Sequence, residues 1–368
     1  MERATARIDH DAVRVNCARL KSELAGAELC AVVKADGYGH GADRCASAAL
    51  DGGATRLAVA TAGEAEQIGR RFQHVPLLTM GALTDEEVDA ALSAGSELAV
   101  WREDFRRLVA DRARSHGHRA RVHVKYDSGM GRLGNRDPAA VLELCRACAE
   151  DPSLELAGIW THFATADEPD SDYFDEQLTR FDEVAVAVKA EYPEVVAHAA
   201  NSAAVLREKR SHYDMARCGI AIYGLDPFQR DPRDHGLRPA LSLRAHVADV
   251  KRFPAGASAG YGRKWKAPVD TWVGVIPLGY GDGVRRALSN NAEVLVRGRR
   301  MPLVGTVSMD NITIDLGPET DVEPGDEAIL IGRQGEEEIL AEEIARRLET
   351  INYEVTCAIS ARVPRRAA

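Results

Sequence analysis

The sequence predicts a (β/α)8 TIM-like barrel followed by a mostly-β domain, and two patterns carry that prediction. Short apolar runs recur near 29–33, 57–60, 75–78, 98–100, 122–126, 156–160, 195–198 and 214–217, with helical signals between most of them. Eight such runs alternating with helices is the pattern of a closed parallel barrel. After about residue 236 the period changes: Leu241, Leu243, Ala245 and Val247 alternate with polar residues, as in a strand buried on one face. The expected division is 10–236 for the barrel and 237–368 for the β domain, with residues 1–9 as a strand packing on the latter.

The first run, Leu29 to Val33, is rich in β-branched residues with no polar partner, which suits a strand covered on both faces. It delivers Lys34 to a loop with Gly37, Gly39 and Gly41. Thr84-Asp85-Glu86-Glu87 is a capping-type helix start, and Asp137-Pro138 opens another helix with proline at its first position. The longest amphipathic stretch runs from about Tyr173 to Glu191, carrying Phe174, Leu178, Phe181, Val184 and Val188 on one side. In the second region the runs Thr271–Leu278, Glu293–Arg297, Asn311–Leu316 and Glu327–Ile331 read as strands, with a hairpin turn at Arg297-Gly298-Arg299-Arg300. One helix, about Leu340 to Leu348, interrupts them before Asn352-Tyr353-Glu354-Val355.

Composition narrows the function classes. A net charge of −10 argues against a general nucleic-acid binder, which needs a basic face. The start of the chain lacks a signal-type apolar region and no run reaches a membrane span, so no membrane partner is expected. Seven scattered cysteines point to a reducing, cytoplasmic setting. The lone Cys145-x-x-Cys148 lies in a helical pattern, and no second pair completes a metal site.

Barrel enzymes carry their reacting groups at the carboxyl ends of the strands. Here Lys34 ends the first run, Arg132 follows the fifth, His162 ends the sixth, Asn201-Ser202 follow the seventh and Arg217 ends the eighth. A lysine leaving a buried strand loses solvation, which makes its amine a usable nucleophile. With Tyr38 four residues on, the segment suggests a lysine imine to pyridoxal phosphate; a strand-end lysine over a Gly-rich turn explains the same residues. Arg132, on the loop Gly129-Met130-Gly131-Arg132, suits a carboxylate held by two parallel bonds, or a surface ion pair. Lys125 would repel Arg132 unless an anion lay between them or the lysine were modified. Ser202 at a helix start and Gly219-Ile220 in a glycine turn offer N–H groups of the kind that bind phosphate. Gly260-Tyr261-Gly262 and Gly279-Tyr280-Gly281 each set a tyrosine between glycines, and Met309 is equally readable as core.

These segments, in this order and across nearly the whole chain, resemble the alanine racemase family of fold-type III pyridoxal-phosphate enzymes. The resemblance implies that Lys34 carries the cofactor and that Tyr38, Ser202, Gly219, Ile220 and Tyr353 hold its phosphate. It further implies that Arg217 faces the pyridine nitrogen and that His162 supports the ring. Arg132 and Met309 would bind the substrate carboxylate, Lys125 would be a carbamylated lysine positioning Arg132, and Tyr261 would be a second base reaching a partner protomer's site. Asp167, Tyr280 and Ile351 match the substrate entrance, and Thr306 stands where some members carry arginine. The implied activity is interconversion of L- and D-alanine in a homodimer with shared active sites, supplying D-alanine for peptidoglycan. Two other readings share much of this: a serine or broad-specificity racemase, and a non-catalytic cofactor-binding barrel. The second would lack Tyr261 and the region after 236.

Overall fold

The computed structural model describes residues 2–368, and the statements below concern those residues. They form two compact units. One comprises Val13–Ile222 with His235–Leu237; the other comprises the residues up to Ala12, Tyr223–Asp234 and Arg238–Ala368. The division at 236 expected from the sequence stands beside this one, in which Tyr223–Asp234 group with the β unit and His235–Leu237 with the barrel unit. Buried polar bonds tie 223–234 to the β unit. The Asp226 N–H donates to the Glu342 carboxylate at 2.9 Å, and Asn352 Nδ2 donates to the Asp226 carbonyl at 2.8 Å.

In chain order the first strand, β1 (Ala4–Ile8), belongs to the β unit. The barrel strands follow: β2 (Glu28–Val32), β3 (Arg56–Val59), β4 (Leu77–Thr79), β5 (Ser96–Val100), β6 (Ala120–Lys125), β7 (Leu154–Trp160), β8 (Val196–His198) and β9 (Met215–Cys218). All pair in parallel with their neighbours, and β9 closes on β2. These strands coincide with the eight apolar runs, because a parallel barrel strand is covered by helices outside and by its fellows inside. Leu29, Leu57, Leu98, Val122 and Ile159 are buried to 1% or less. Burying each such side chain contributes roughly 1.5–3 kcal/mol.

The helix starts follow the sequence signals. Thr84 caps Asp85–Ser93 in a full capping box with Glu87, and Asp137 caps Pro138–Glu150 through the Ala139 N–H. Helix Tyr173–Glu191 buries Phe174, Leu178, Phe181, Val184 and Val188. Cys145 and Cys148 are free, buried thiols on one helix face, and burial pushes Cys145 up to about 12. Among the described residues no helix is long and apolar enough to cross a membrane.

The β unit contains β10 (Leu241–His246), β11 (Asp249–Phe253), β12 (Ser258–Ala259), β13 (Trp265–Lys266), β14 (Thr271–Ile276), β15 (Glu293–Val296), β16 (Arg299–Val304), β17 (Ile312–Gly317), β18 (Glu327–Gln334), β19 (Glu337–Ile339) and β20 (Arg365–Ala367). Its ten-stranded sheet runs β11-β14-β17-β16-β15-β18-β10-β1-β20, with β19 on β18. The short β12–β13 hairpin is separate. Helix Ala341–Arg347 is joined by a second one, Asn352–Cys357, which the sequence pattern did not signal.

Candidate active site

Lys34 sits where β2 ends, half-buried, and the chain after it turns the wrong way for L-residues. Ala35 (φ 52°), Asp36 (φ 51°) and Tyr38 (φ 53°) are left-handed alongside Gly37. Each non-glycine residue in that region costs on the order of 1–2 kcal/mol. Specific bonds hold the turn. Glu64, from the capping box of helix Ala62–Arg71, accepts the Ala35 N–H at 2.7 Å, and Asp36 accepts the Ala42 N–H at 2.9 Å. These bonds offset the strain and keep Lys34 and Tyr38 on one short loop.

Tyr38 reaches across to the end of β9. A Cβ added at Gly219 would lie 2.3 Å from the Tyr38 hydroxyl, so only glycine fits there. Ser202 Oγ accepts the Gly219 N–H at 3.1 Å and the Ala221 N–H at 3.3 Å, and Ile220 is buried beside them. The Asn201 side chain caps the helix that Ser202 begins. Tyr38, Ser202, Gly219 and Ile220 thus converge, with glycine at 219 letting the Tyr38 hydroxyl lie against the backbone there.

Arg217 is 3% exposed and is held on several sides. It donates to the Thr161 carbonyl at 2.8 Å, the Ala199 carbonyl at 3.1 Å, His198 Nδ1 at 2.8 Å and His162 Nδ1 at 3.2 Å. Burial lowers its guanidinium to about 10, which leaves it a cation at neutral pH. Its Nε–H takes no part in these bonds. Burial, then Arg217 and Lys125, push His162 well below the ordinary histidine value, so its ring is neutral.

Lys125, at the end of β6, is 2% exposed, and burial together with Arg217 and Arg132 lowers its amine to about 7. Its Nζ lies 4.2 Å from the Trp160 ring centre, with the Arg217 guanidinium 4.8 Å from the same ring. An indole ring this close to a cation stabilises its charge. The loop bearing Arg132 is shaped by Asp127, which accepts the Gly129 N–H at 3.1 Å and the Gly131 N–H at 3.0 Å. Gln177 joins that loop to the next: its amide donates to Ser128 and to the His162 carbonyl and accepts from the Ala164 N–H. Arg132 itself is exposed, with no ion pair among the described residues, and Asp167 is exposed on the loop after β7.

The remaining candidates, Tyr261, Tyr280, Met309, Ile351 and Tyr353, lie in the β unit. Tyr261 is 73% exposed, between Gly260 and Gly262, both at φ 72°. Thr306, buried, donates its hydroxyl to the Tyr261 carbonyl at 2.7 Å. The Tyr280 N–H donates to the Ser308 carbonyl at 3.0 Å and the Gly281 N–H to that of Met309 at 2.9 Å, so these two loops are locked together. Asp282, bound by Arg3 at 2.6 and 2.8 Å, accepts the Gly279 N–H and closes the same turn. Tyr353 is half-buried on helix Asn352–Cys357.

The family model for the alanine racemase N-terminal domain matches residues 8–227, and that for the C-terminal domain matches residues 240–367. The chain belongs to the alanine racemase family. Alanine racemase of Symbiobacterium thermophilum is 42% identical over 361 residues, covering 98% of this chain and 96% of the relative. Alanine racemase 1 of Bacillus subtilis is 39% identical, covering 98% of this chain and 92% of the relative. The solved alanine racemase of Streptomyces lavendulae superposes with a TM-score of 0.94 at 36% identity, over 100% of this chain and 97% of that one.

Several residues that build this racemase-family site escape the sequence reading. Glu64 and Asp127 shape the loops that carry Lys34 and Arg132, Gln177 ties two strand ends together, and Glu97, His123 and His198 support Arg217. One signal was available: Arg121, His123 and Lys125 alternate along β6 and so share a face.

Proposed function

We propose that the protein interconverts L- and D-alanine with pyridoxal 5'-phosphate bound at Lys34. The observation that supports it most is the convergence, within one barrel unit, of strand-end Lys34, the Tyr38–Ser202–Gly219 cradle and the buried Arg217. The residues fit the group: the Tyr38 and Ser202 hydroxyls with the backbone around Gly219 suit a phosphate, and glycine at 219 is what lets the Tyr38 hydroxyl come this close to that backbone. Tyr353, on the β unit, completes the phosphate set in this reading.

Once bound, the cofactor supplies an electron sink for charge at the amino acid's α-carbon. The protein supplies the proton traffic. Racemisation needs one proton removed from one face and another delivered to the opposite face, hence two bases. Lys34 serves the D-alanine proton and the Tyr261 hydroxyl that of L-alanine. Arg217, a cation at neutral pH, would face the cofactor's ring nitrogen, where it could donate a hydrogen bond but would not give up its proton, which would disfavour side reactions. Arg132 and Met309 hold the substrate carboxylate.

Lys125 is carbamylated in this account. Near pH 7 a large share of its amine is neutral. That neutral nitrogen adds to carbon dioxide, one proton leaves, and a carbamate anion that attracts Arg132 takes the place of the amine. Tyr261, Tyr280, Met309 and Ile351 are large exposed hydrophobic side chains of the β unit, which supports a homodimer in which each β unit serves the partner's barrel. Asp167, Tyr280 and Ile351 border the substrate entrance, and the working compartment is the cytoplasm. Tyr353 narrows the pocket toward alanine over serine.

Borohydride reduction of the cofactor-loaded protein tests the core of this reading. Pyridoxal phosphate fixed to the peptide containing Lys34 is the expected result; fixation at another lysine overturns it.

A further inference from the structure

A continuous chain of buried polar groups crosses the barrel from β5 to β9. His123 Nε2 lies 2.6 Å from the Glu97 carboxylate, His123 Nδ1 lies 2.8 Å from His198 Nε2, and His198 Nδ1 lies 2.8 Å from an Arg217 nitrogen. Glu97 is 4% exposed, His123 1% and His198 0%. Glu97 is anchored in turn by Arg56 at 3.0 Å and Arg121 at 2.7 Å.

Only one proton arrangement satisfies this chain. A guanidinium donates and never accepts, so His198 Nδ1 must present its lone pair to Arg217. The His198 ring is neutral: burial, then the Arg217 charge, push it well below the ordinary histidine value. Its proton therefore sits on Nε2 and points at His123 Nδ1, which must accept. The His123 proton is then on Nε2, directed at the Glu97 carboxylate. Burial opposes the charge on Glu97, but the His123 hydrogen bond, the Arg56 charge and the Arg121 bond outweigh it and hold the carboxylate below its ordinary value.

The barrel is built to allow the His123–His198 contact. These residues lie on β6 and β8, with β7 between them. The gap is bridged at Gly158 of β7, where an added Cβ would fall 2.1 Å from His123 Nδ1. Gly158 is not at positive φ, so the glycine is there for space rather than conformation. Trp160 stacks on His198 at 5.6 Å and 7°, which fixes the plane of that ring.

We propose that Glu97 and His123 are positioning residues for the reaction: through His198 they fix the orientation of Arg217, the group assigned to the cofactor ring nitrogen. The role in catalysis rests on the reading above; the hydrogen-bond chain itself does not. Breaking the chain at His123 frees His198 to place its proton on either nitrogen. An Nδ1 proton would face Arg217 and push the guanidinium off its line.

The test uses the full chain with nitrogen-15 histidine, recorded as long-range proton–nitrogen spectra with and without pyridoxal phosphate. Wild type is expected to show His123 and His198 as single neutral tautomers with the proton on Nε2. His123→Gln keeps the polarity, since its amide oxygen can accept from His198 while its amide nitrogen donates to Glu97. It is expected to retain the His198 tautomer and near-normal turnover. His123→Leu and Gly158→Ala are expected to mix the His198 tautomers and lower kcat about tenfold, as losing an outer-shell partner does. KM for alanine should change little, because Arg217 is assigned to the ring rather than the substrate. A wild-type His198 proton on Nδ1, a cationic His198 or His123 at neutral pH, or variants that lose turnover with the tautomer intact would each overturn the proposal. If the protein takes up no pyridoxal phosphate, the functional reading fails, while the cofactor-free spectra still decide the chain of bonds.

Discussion

The barrel unit and the β unit present their chemical residues in opposite ways. In the barrel, Lys125, His198 and Arg217 are at most 3% exposed, and burial displaces the ionisation of each. In the β unit, Tyr261, Tyr280 and Met309 are 73%, 44% and 52% exposed, on turns fixed by backbone bonds. The barrel tunes charge by withdrawing groups from water. The β unit holds these three side chains out in solvent, on turns set by its own backbone bonds.

The largest effect separating the two should come from Lys34→Ala. Activity is expected to fall to background, with loss of borohydride-fixed cofactor and an unchanged far-ultraviolet circular dichroism spectrum. An active Lys34→Ala protein would place the chemistry elsewhere. Mixing it with an equally inactive Tyr261→Phe protein is expected to restore part of the activity, because one hybrid site keeps both residues. Verified hybrids without activity would mean that each chain builds its own site.

The tuned lysine gives a smaller effect with a defined sign. Lys125 in the fold has its amine lowered to about 7 from 10.5, so the unfolded chain binds more protons between those values. In carbon-dioxide-free buffer its contribution to stability should rise as pH climbs from about 7 to about 10.5. The urea midpoint of wild type minus that of Lys125→Met should show this slope. A flat difference would mean that the amine is not desolvated. The smallest effect should be that of Thr306→Val, which removes one hydroxyl from the Tyr261 carbonyl and is expected to cost about 1 kcal/mol of stability. An unchanged thermal midpoint would show that the Gly260 and Gly262 turns hold Tyr261 unaided.

The same contrast governs what the sequence discloses. All eight barrel strands are visible as apolar runs, because burial on both faces leaves few polar residues in them. Lys34, His162 and Arg217 are visible because strand ends are where polar residues interrupt those runs. The left-handed turn at Ala35 and Asp36 is invisible, since alanine has no preference for positive φ and is held there by Glu64, 29 residues on. The Glu97–His123–His198 chain is equally hidden: its bonds join residues 26 and 75 positions apart, and only closure of the barrel brings them together. The bond between Asn352 and the Asp226 carbonyl, which ties 223–234 to the β unit, is hidden for the same reason: the two residues meet only in the fold.

The two-base claim is tested most directly by proton exchange in deuterated water. Tyr261→Phe removes one acceptor and leaves Lys34, Arg132 and the cofactor cradle intact. The variant is expected to exchange the α-proton of D-alanine with retention, while racemisation and exchange of L-alanine fall by about 10²- to 10⁴-fold. Equal loss of exchange from both enantiomers would contradict the assignment of Tyr261 as a base and leave it a role in binding or geometry.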